Sequence, residues 1–96
     1  MNIVFGDAAK IELADTFEWY ELQQKGLGKR FALALDLTRK RISLFPELSV
    51  ELATGIRRAS LKGFPYGLVY SIGKESIEII AVAHLHRKPM YWDDRG

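Results

Sequence analysis

The period of the apolar residues changes once, at Pro46, and that change governs what this chain can fold into. Upstream, Ala9, Leu13, Phe17 and Tyr20 recur at the spacing of one helical face, with Lys10, Glu18 and Glu21 set off it. Phe31, Leu35, Thr38, Ile42 and Phe45 repeat the pattern in a second segment that starts near Leu27 or Gly28 and runs to Phe45. Pro46 stops it, because proline lacks an amide hydrogen and its ring collides with the preceding turn. Asp7 is placed to cap the first helix through its side-chain oxygen, and Gly26 suits the left-handed position that closes it. So short a link makes the two helices an antiparallel hairpin.

Strands flank this hairpin. Asn2-Ile3-Val4-Phe5 is β-prone and closed by Gly6. After Pro46, Glu47 to Gly55 reads as a loop or an ill-defined strand, and Ile56–Leu61 and Tyr66–Ile72 read as strands. Ser76–Leu85 is the strongest: beyond Glu78 it is apolar on both faces, as a central strand is. The tail from Arg87 to Gly96 is polar and aromatic, with Pro89 breaking any regular element. The expected fold class is α+β: an N-terminal strand, an antiparallel two-helix hairpin, then a three-stranded antiparallel meander forming one twisted sheet. Nothing in the sequence resembles a linker or a repeat, so residues 1–96 read as a single domain.

Composition removes several kinds of chemistry. The 96 residues include no cysteine, which excludes disulfides, thiolate nucleophiles and cysteine-based metal sites. The net charge of +2 is too small to establish a nucleic-acid partner by itself. Its surplus lies in the C-terminal half, where Arg57, Arg58, Lys62, Lys74, Arg87, Lys88 and Arg95 outnumber Glu51, Glu75, Glu78, Asp93 and Asp94. No basic region followed by a long apolar stretch opens the chain, and the apolar run Ile79–Ala83 is far shorter than the ~20 residues that span a bilayer. A cytoplasmic protein is therefore expected.

The chemistry-bearing residues cluster late. His84 and His86 alternate onto one face of a strand, but a third metal ligand is missing at useful spacing, so neither metal nor cofactor is expected. Metal-independent RNA cleavage needs a base, an acid and cations for the phosphate. His84, His86, Tyr91, Arg57, Arg58, Lys62 and Arg87 contain those residue types, although basic residues on exposed strands are commonly just solvated. Arg57 and Arg58 point to opposite faces, so at most one joins a concave site. Tyr91 and Trp92 either stack on a nucleobase or fold back to pin the tail. Arg39-Lys40-Arg41 reads as a solvated helix end, and Gly26-x-Gly28 as a turn, since no strand precedes it. Trp19 and Tyr20 are adjacent and cannot both face the core, which leaves one for a protein surface.

These residues together resemble a family. Trp19-Tyr20-Glu21, Gly26-Leu27-Gly28 and Phe31 are similar to the helical stretch of RelE/ParE-type toxins, ParE-like members in particular. Ile56-Arg57-Arg58, Phe64-Pro65-Tyr66, Val69-Tyr70 and Ile77 to Val82 continue the resemblance in order. Ala83-His84, His86-Arg87, Pro89, Tyr91-Trp92 and Arg95 resemble the C-terminal signature of ParE-like members.

The resemblance implies the toxin half of a type II toxin–antitoxin operon, of the plasmid-stabilisation kind, held inactive by a cognate antitoxin. Trp19, Tyr20 and Phe31 would then contribute to antitoxin binding. ParE-like members inhibit DNA gyrase, and Arg58, Arg87, Tyr91 and Trp92 would form the target-binding surface. RelE-like members instead cleave messenger RNA on the ribosome, a role that would fall to Arg57, Arg58, His84, Arg87 and Tyr91. The chain departs from that second pattern: Glu47–Gly55 carries Glu47 and Glu51 and no lysine or arginine. Its low net charge also disfavours docking into ribosomal RNA, where counterion release rewards many cationic contacts. Gyrase inhibition without catalysis is the favoured expectation. Ribosome-dependent cleavage and a non-toxic antitoxin-binding member are the alternatives. A homodimer or a toxin–antitoxin hetero-oligomer is compatible with each.

Overall fold

The computed structural model describes residues 1–88 and 90–95, so the break expected at Pro89 lies outside the described residues. Strand β1 (Asn2–Phe5) leads into helices α1 (Asp7–Gln23) and α2 (Leu27–Leu44). Strands β2 (Val50–Ala53), β3 (Ile56–Ser60), β4 (Tyr66–Ile72) and β5 (Ser76–His84) follow, and a 3-10 turn spans Asp93–Arg95. No helix among the described residues is long and apolar enough to cross a membrane.

The sheet corrects the sequence reading. It has five strands in the order β1-β5-β4-β3-β2, so the meander has four strands rather than three. The extra strand, β2, lies in Glu47–Gly55, whose sequence reads as a loop or ill-defined strand; it pairs with β3 through Val50↔Arg58 and Glu51↔Arg57, then breaks register before Ala53↔Ile56. The sheet is also mixed, because β1 runs parallel to β5 with Ile3 opposite Ile77 and Phe5 opposite Ile79. A parallel neighbour needs a crossover, and the helical hairpin with the meander behind it provides one.

Local chemistry sets the element ends. Gly6 rather than Asp7 is the N-cap of α1, in extended geometry and without a side-chain capping bond. Its N–H donates to the Ile79 carbonyl at 2.9 Å, which holds Gly6 at the strand end and leaves Asp7 as the first helical residue. There its charge still complements the helix dipole. Gly26 does adopt a left-handed conformation, φ 90°, but α1 has already ended at Gln23 and Gly26 caps α2 instead. Glu21 organises the junction by accepting hydrogen bonds from the N–H of Gly26 at 2.9 Å and of Gly28 at 3.0 Å.

The core lies mainly between the helices and one sheet face. Phe31, Leu35 and Ile42 of α2 meet Leu68, Tyr70, Ile77, Ile79 and Val82 there. Thr38 fits this apolar stripe because its hydroxyl donates to the Ala34 carbonyl at 2.9 Å. Two expected stripe members leave it: Phe17 is 37% exposed, and Phe45 is 54% exposed because it has left helical geometry as the C-cap. A smaller core covers the opposite face, with Val69, Ile80, Ala81, Ala83 and Trp92. A bulge makes both cores possible. Val69 pairs with Ala81 and Tyr70 with Ile79, so Ile80 is the extra residue and turns toward the second face.

Candidate functional site

Beside the second core, where β5 ends and the tail turns back, a cleft of about 260 Å³ opens. Leu52, Val69, Ala83 and Trp92 give it an apolar floor, and Arg58, Arg87 and Lys88 give it cationic walls. None of the described residues lining it is acidic. His84, Tyr91 and Met90 complete the rim. Arg58, His84, Arg87, Tyr91 and Trp92, singled out from residue type and resemblance, therefore lie together.

Arg58 reaches the cleft across Gly67. A Cβ built on Gly67 would stand 2.9 Å from Arg58 Cγ and 3.1 Å from its Cδ, so only glycine leaves room for the arginine stem. Arg57, as strand alternation requires, points to the other face, opposite Tyr70. It donates to the carbonyls of Ser49 at 2.8 Å and Glu47 at 3.0 Å, holding the chain that enters β2. Lys62 also lies away from the cleft, beside α2 near Arg30 and Arg41. The basic run on α2 is accounted for locally: Arg39 and Lys40 pair with Asp36, and Arg41 donates to the Ser60 carbonyl.

Tyr91 is held from several directions. Its hydroxyl donates to Glu12 Oε2 at 2.7 Å, and the Arg87 guanidinium lies 3.7 Å from the ring centroid. Burial and then the Glu12 hydrogen bond and charge push the Tyr91 hydroxyl well above the ordinary tyrosine pKa. Arg95 also pairs with Glu12, at 2.8 and 3.1 Å. Burial pushes Glu12 up, but hydrogen bonds from Arg95, Tyr91 and the Val82 N–H outweigh it and leave the carboxyl below its usual range. Glu12 is the residue that the sequence did not reveal. Its partners Tyr91 and Arg95 lie 79 and 83 positions away, and no helical spacing points to them.

The remaining candidates are placed differently. The His84 ring packs edge-on against Tyr66, 5.0 Å between centroids, and its Nδ1 accepts the His86 N–H at 3.1 Å. His86 follows β5 in a turn and is exposed. Trp92 is only 5% exposed, so it forms cleft floor and second core and offers no free face to a base. Of the residues expected at an antitoxin surface, Trp19 is 55% exposed, whereas Tyr20 and Phe31 are buried. Those two pack with Phe64 and Tyr66 in a ring cluster with centroid separations of 5.0 to 6.1 Å. Burial removes them from the free surface.

Apolar surface is instead displayed along the hairpin. One groove, of about 570 Å³, is lined by Leu13, Phe17 and Leu22 of α1 with Ala32 of α2. Another, of about 490 Å³, is lined by Leu33, Leu37 and Phe64, with Arg30, Arg41 and Lys62 at its rim.

Comparison with known proteins agrees with this architecture. A solved structure described as the chromosomal ParDE TA system from P. aeruginosa superposes with a TM-score of 0.63, covering 90% of this chain and 97% of that one at 14% identity. That likeness establishes the fold. No curated protein sequence matches the chain. The sequence model of one family, described as the ParE toxin of the type II toxin–antitoxin system parDE, matches residues 3–89. The chain belongs to the ParE toxin family of type II toxin–antitoxin systems.

Proposed function

We propose that this chain is a toxin that acts by binding, that DNA gyrase in the cytoplasm is its target, and that a cognate antitoxin neutralises it. The observation that carries the non-catalytic reading is the engagement of Tyr91. Its hydroxyl is committed to Glu12 and its ring to Arg87, so the one phenol in the cleft is not poised to move a proton. The His84 Nδ1 accepts the His86 amide hydrogen, which leaves Nε2 as the only ring nitrogen free to move a proton. Family membership and the sequence resemblance support gyrase as the target. The cleft then serves as target-binding surface through Arg58 and Arg87, while Trp19 and the hairpin grooves serve the antitoxin. Contiguous apolar grooves on a small protein mark such surfaces.

Ribosome-dependent cleavage of messenger RNA is the second reading, favoured by one observation: Arg58, His84, Arg87 and Tyr91 border the same cleft. Induction of the chain alone in a bacterium, with DNA and transcripts followed together, separates the readings. Trapped double-strand breaks with intact transcripts are the expected result. Rapid loss of translated transcripts over unbroken DNA would overturn the gyrase reading. Unimpaired growth would leave a non-toxic antitoxin-binding protein.

A further inference from the structure

Strand β2 is the outermost strand of the sheet, and Val50 at its start is 61% exposed. Its register continues the cleft outward. Direct cross-strand partners share a face, and Val50 pairs with Arg58, Arg58 with Val69, and Val69 with Ala81. That row sets Val50 on the face of the cleft, just beyond Arg58, with Leu52 of the cleft floor two residues along the same strand. Outer strands are ordinarily blunted by lysine or another charge. Here the position is apolar, and Leu48, 81% exposed, precedes it. The backbone that leads in is tied down from the sheet: Arg57 donates to the carbonyls of Glu47 and Ser49, and the Tyr70 hydroxyl to that of Pro46. An apolar side chain presented on a fixed backbone costs little ordering entropy when a partner covers it.

We propose that the target-binding surface extends from the cleft across Arg58 to Val50, and that it takes a protein surface with an apolar side chain for Val50 and acidic residues for Arg87 and Lys88. The proposal rests on the reading of the cleft as target-binding surface, and it names the chemistry of the target there. Charge and position select this occupant. Arg87 and Lys88 are exposed, and none of the described residues lining the cleft is acidic, so the complementary surface is acidic. A second copy packed on this face would set the cations against their own counterparts. A strand added at the edge would meet the break in register between Glu51 and Ala53. RNA gains nothing from Val50, because a phosphate chain rewards cations and open aromatic faces. The helices pack on the other face of the sheet, so the grooves assigned to the antitoxin lie apart from this one.

The test measures inhibition of DNA gyrase supercoiling by the purified toxin, and antitoxin binding by calorimetric titration. It compares wild type with Val50→Ser and Val50→Thr; thermal melts followed by circular dichroism establish that each variant is folded. Val50→Ser removes the apolar contact without adding charge, and should weaken inhibition about tenfold, as loss of a covered valine does. Val50→Thr keeps the β-branched shape that suits a strand, so it carries the test if the serine variant does not fold. It should weaken inhibition threefold or more, since its hydroxyl must be desolvated under the partner. Antitoxin affinity should stay within twofold for both. Inhibition within twofold of wild type by a folded variant overturns the proposal and leaves the gyrase reading standing. An equal loss of antitoxin affinity in a folded variant also overturns it, because the edge then belongs to the antitoxin. Wild-type toxin that leaves gyrase working while transcripts are cleaved refutes the gyrase reading, and this target chemistry with it.

Discussion

At Glu12 one carboxylate serves helix, sheet and tail together. Strand β1 covers β5 only from Ser76 to Ile79, and beyond that point the β5 edge needs other partners. Glu12 accepts the Val82 N–H at 3.0 Å, and Arg95 donates to the Ile80 carbonyl at 3.2 Å, so an ion pair continues where the strand stops. Glu12→Ala leaves Val82, Tyr91 and Arg95 without their acceptor, and should cost roughly 2–3 kcal/mol of stability in urea unfolding. The same carboxyl gives the protein an acid sensitivity. Its folded pKa lies below the unfolded value, so its contribution is complete above about pH 4.3 and is lost as pH falls through the folded pKa. Wild type and Glu12→Ala should therefore differ in melting temperature at neutral pH and converge under acid. A gap that persists at low pH would show that packing, not charge, holds the tail.

At the scale of elements, the helical hairpin depends on a close approach at Gly28. A Cβ there would lie 2.9 Å from the Phe17 carbonyl and 2.9 Å from Glu21 Oε1, the atom that accepts the Gly28 N–H. The carbonyl is backbone and cannot swing aside. Gly28→Ala should part the helices and cost about 1–3 kcal/mol, despite alanine's better helix propensity, as thermal unfolding would report. An unchanged or raised melting temperature would mean that the hairpin tolerates a wider spacing. Elements with a strong periodic signal were legible in the sequence. Strand β4 occupies Tyr66–Ile72, where alternation places it, and α2 starts at Leu27 and has Phe45 as its cap. Strand β2 was not, although Val50-Glu51-Leu52 alternates. It is four residues long, a bulge interrupts it, and it pairs with Arg57 and Arg58 rather than with a matching apolar face. The helix start is one residue earlier than local capping preference implies for a related reason: the bond from Gly6 to Ile79 is tertiary, and the local sequence gives no sign of it.

Across the whole molecule, two different kinds of surface are presented. Apolar grooves run along the hairpin, and the cationic cleft lies beside the second core, away from them. Leu37 is 58% exposed in one groove, so Leu37→Glu should change stability by no more than about 0.5 kcal/mol. If the antitoxin occupies that groove, its affinity should fall tenfold or more in calorimetric titration, because apolar contact is lost and a carboxylate must be desolvated under the partner. Unaltered affinity would move the antitoxin off this face. The gathering of Arg58, His84, Arg87 and Tyr91 was anticipated in the sequence by residue type and resemblance. Which of them remain available was not, since that depends on Glu12 meeting Tyr91 from the far end of the chain.

The parallel pairing of β1 with β5 joins the first strand to the last. During synthesis β1, α1 and α2 emerge before the strand that completes their core and the tail that Glu12 holds. Non-local pairing of this kind delays folding until β5 and the tail have been made. Until β5 and the tail are made, the cleft beside the second core is not assembled. The groove lined by Leu13, Phe17, Leu22 and Ala32 is encoded before that cleft, so a partner that takes it can engage first.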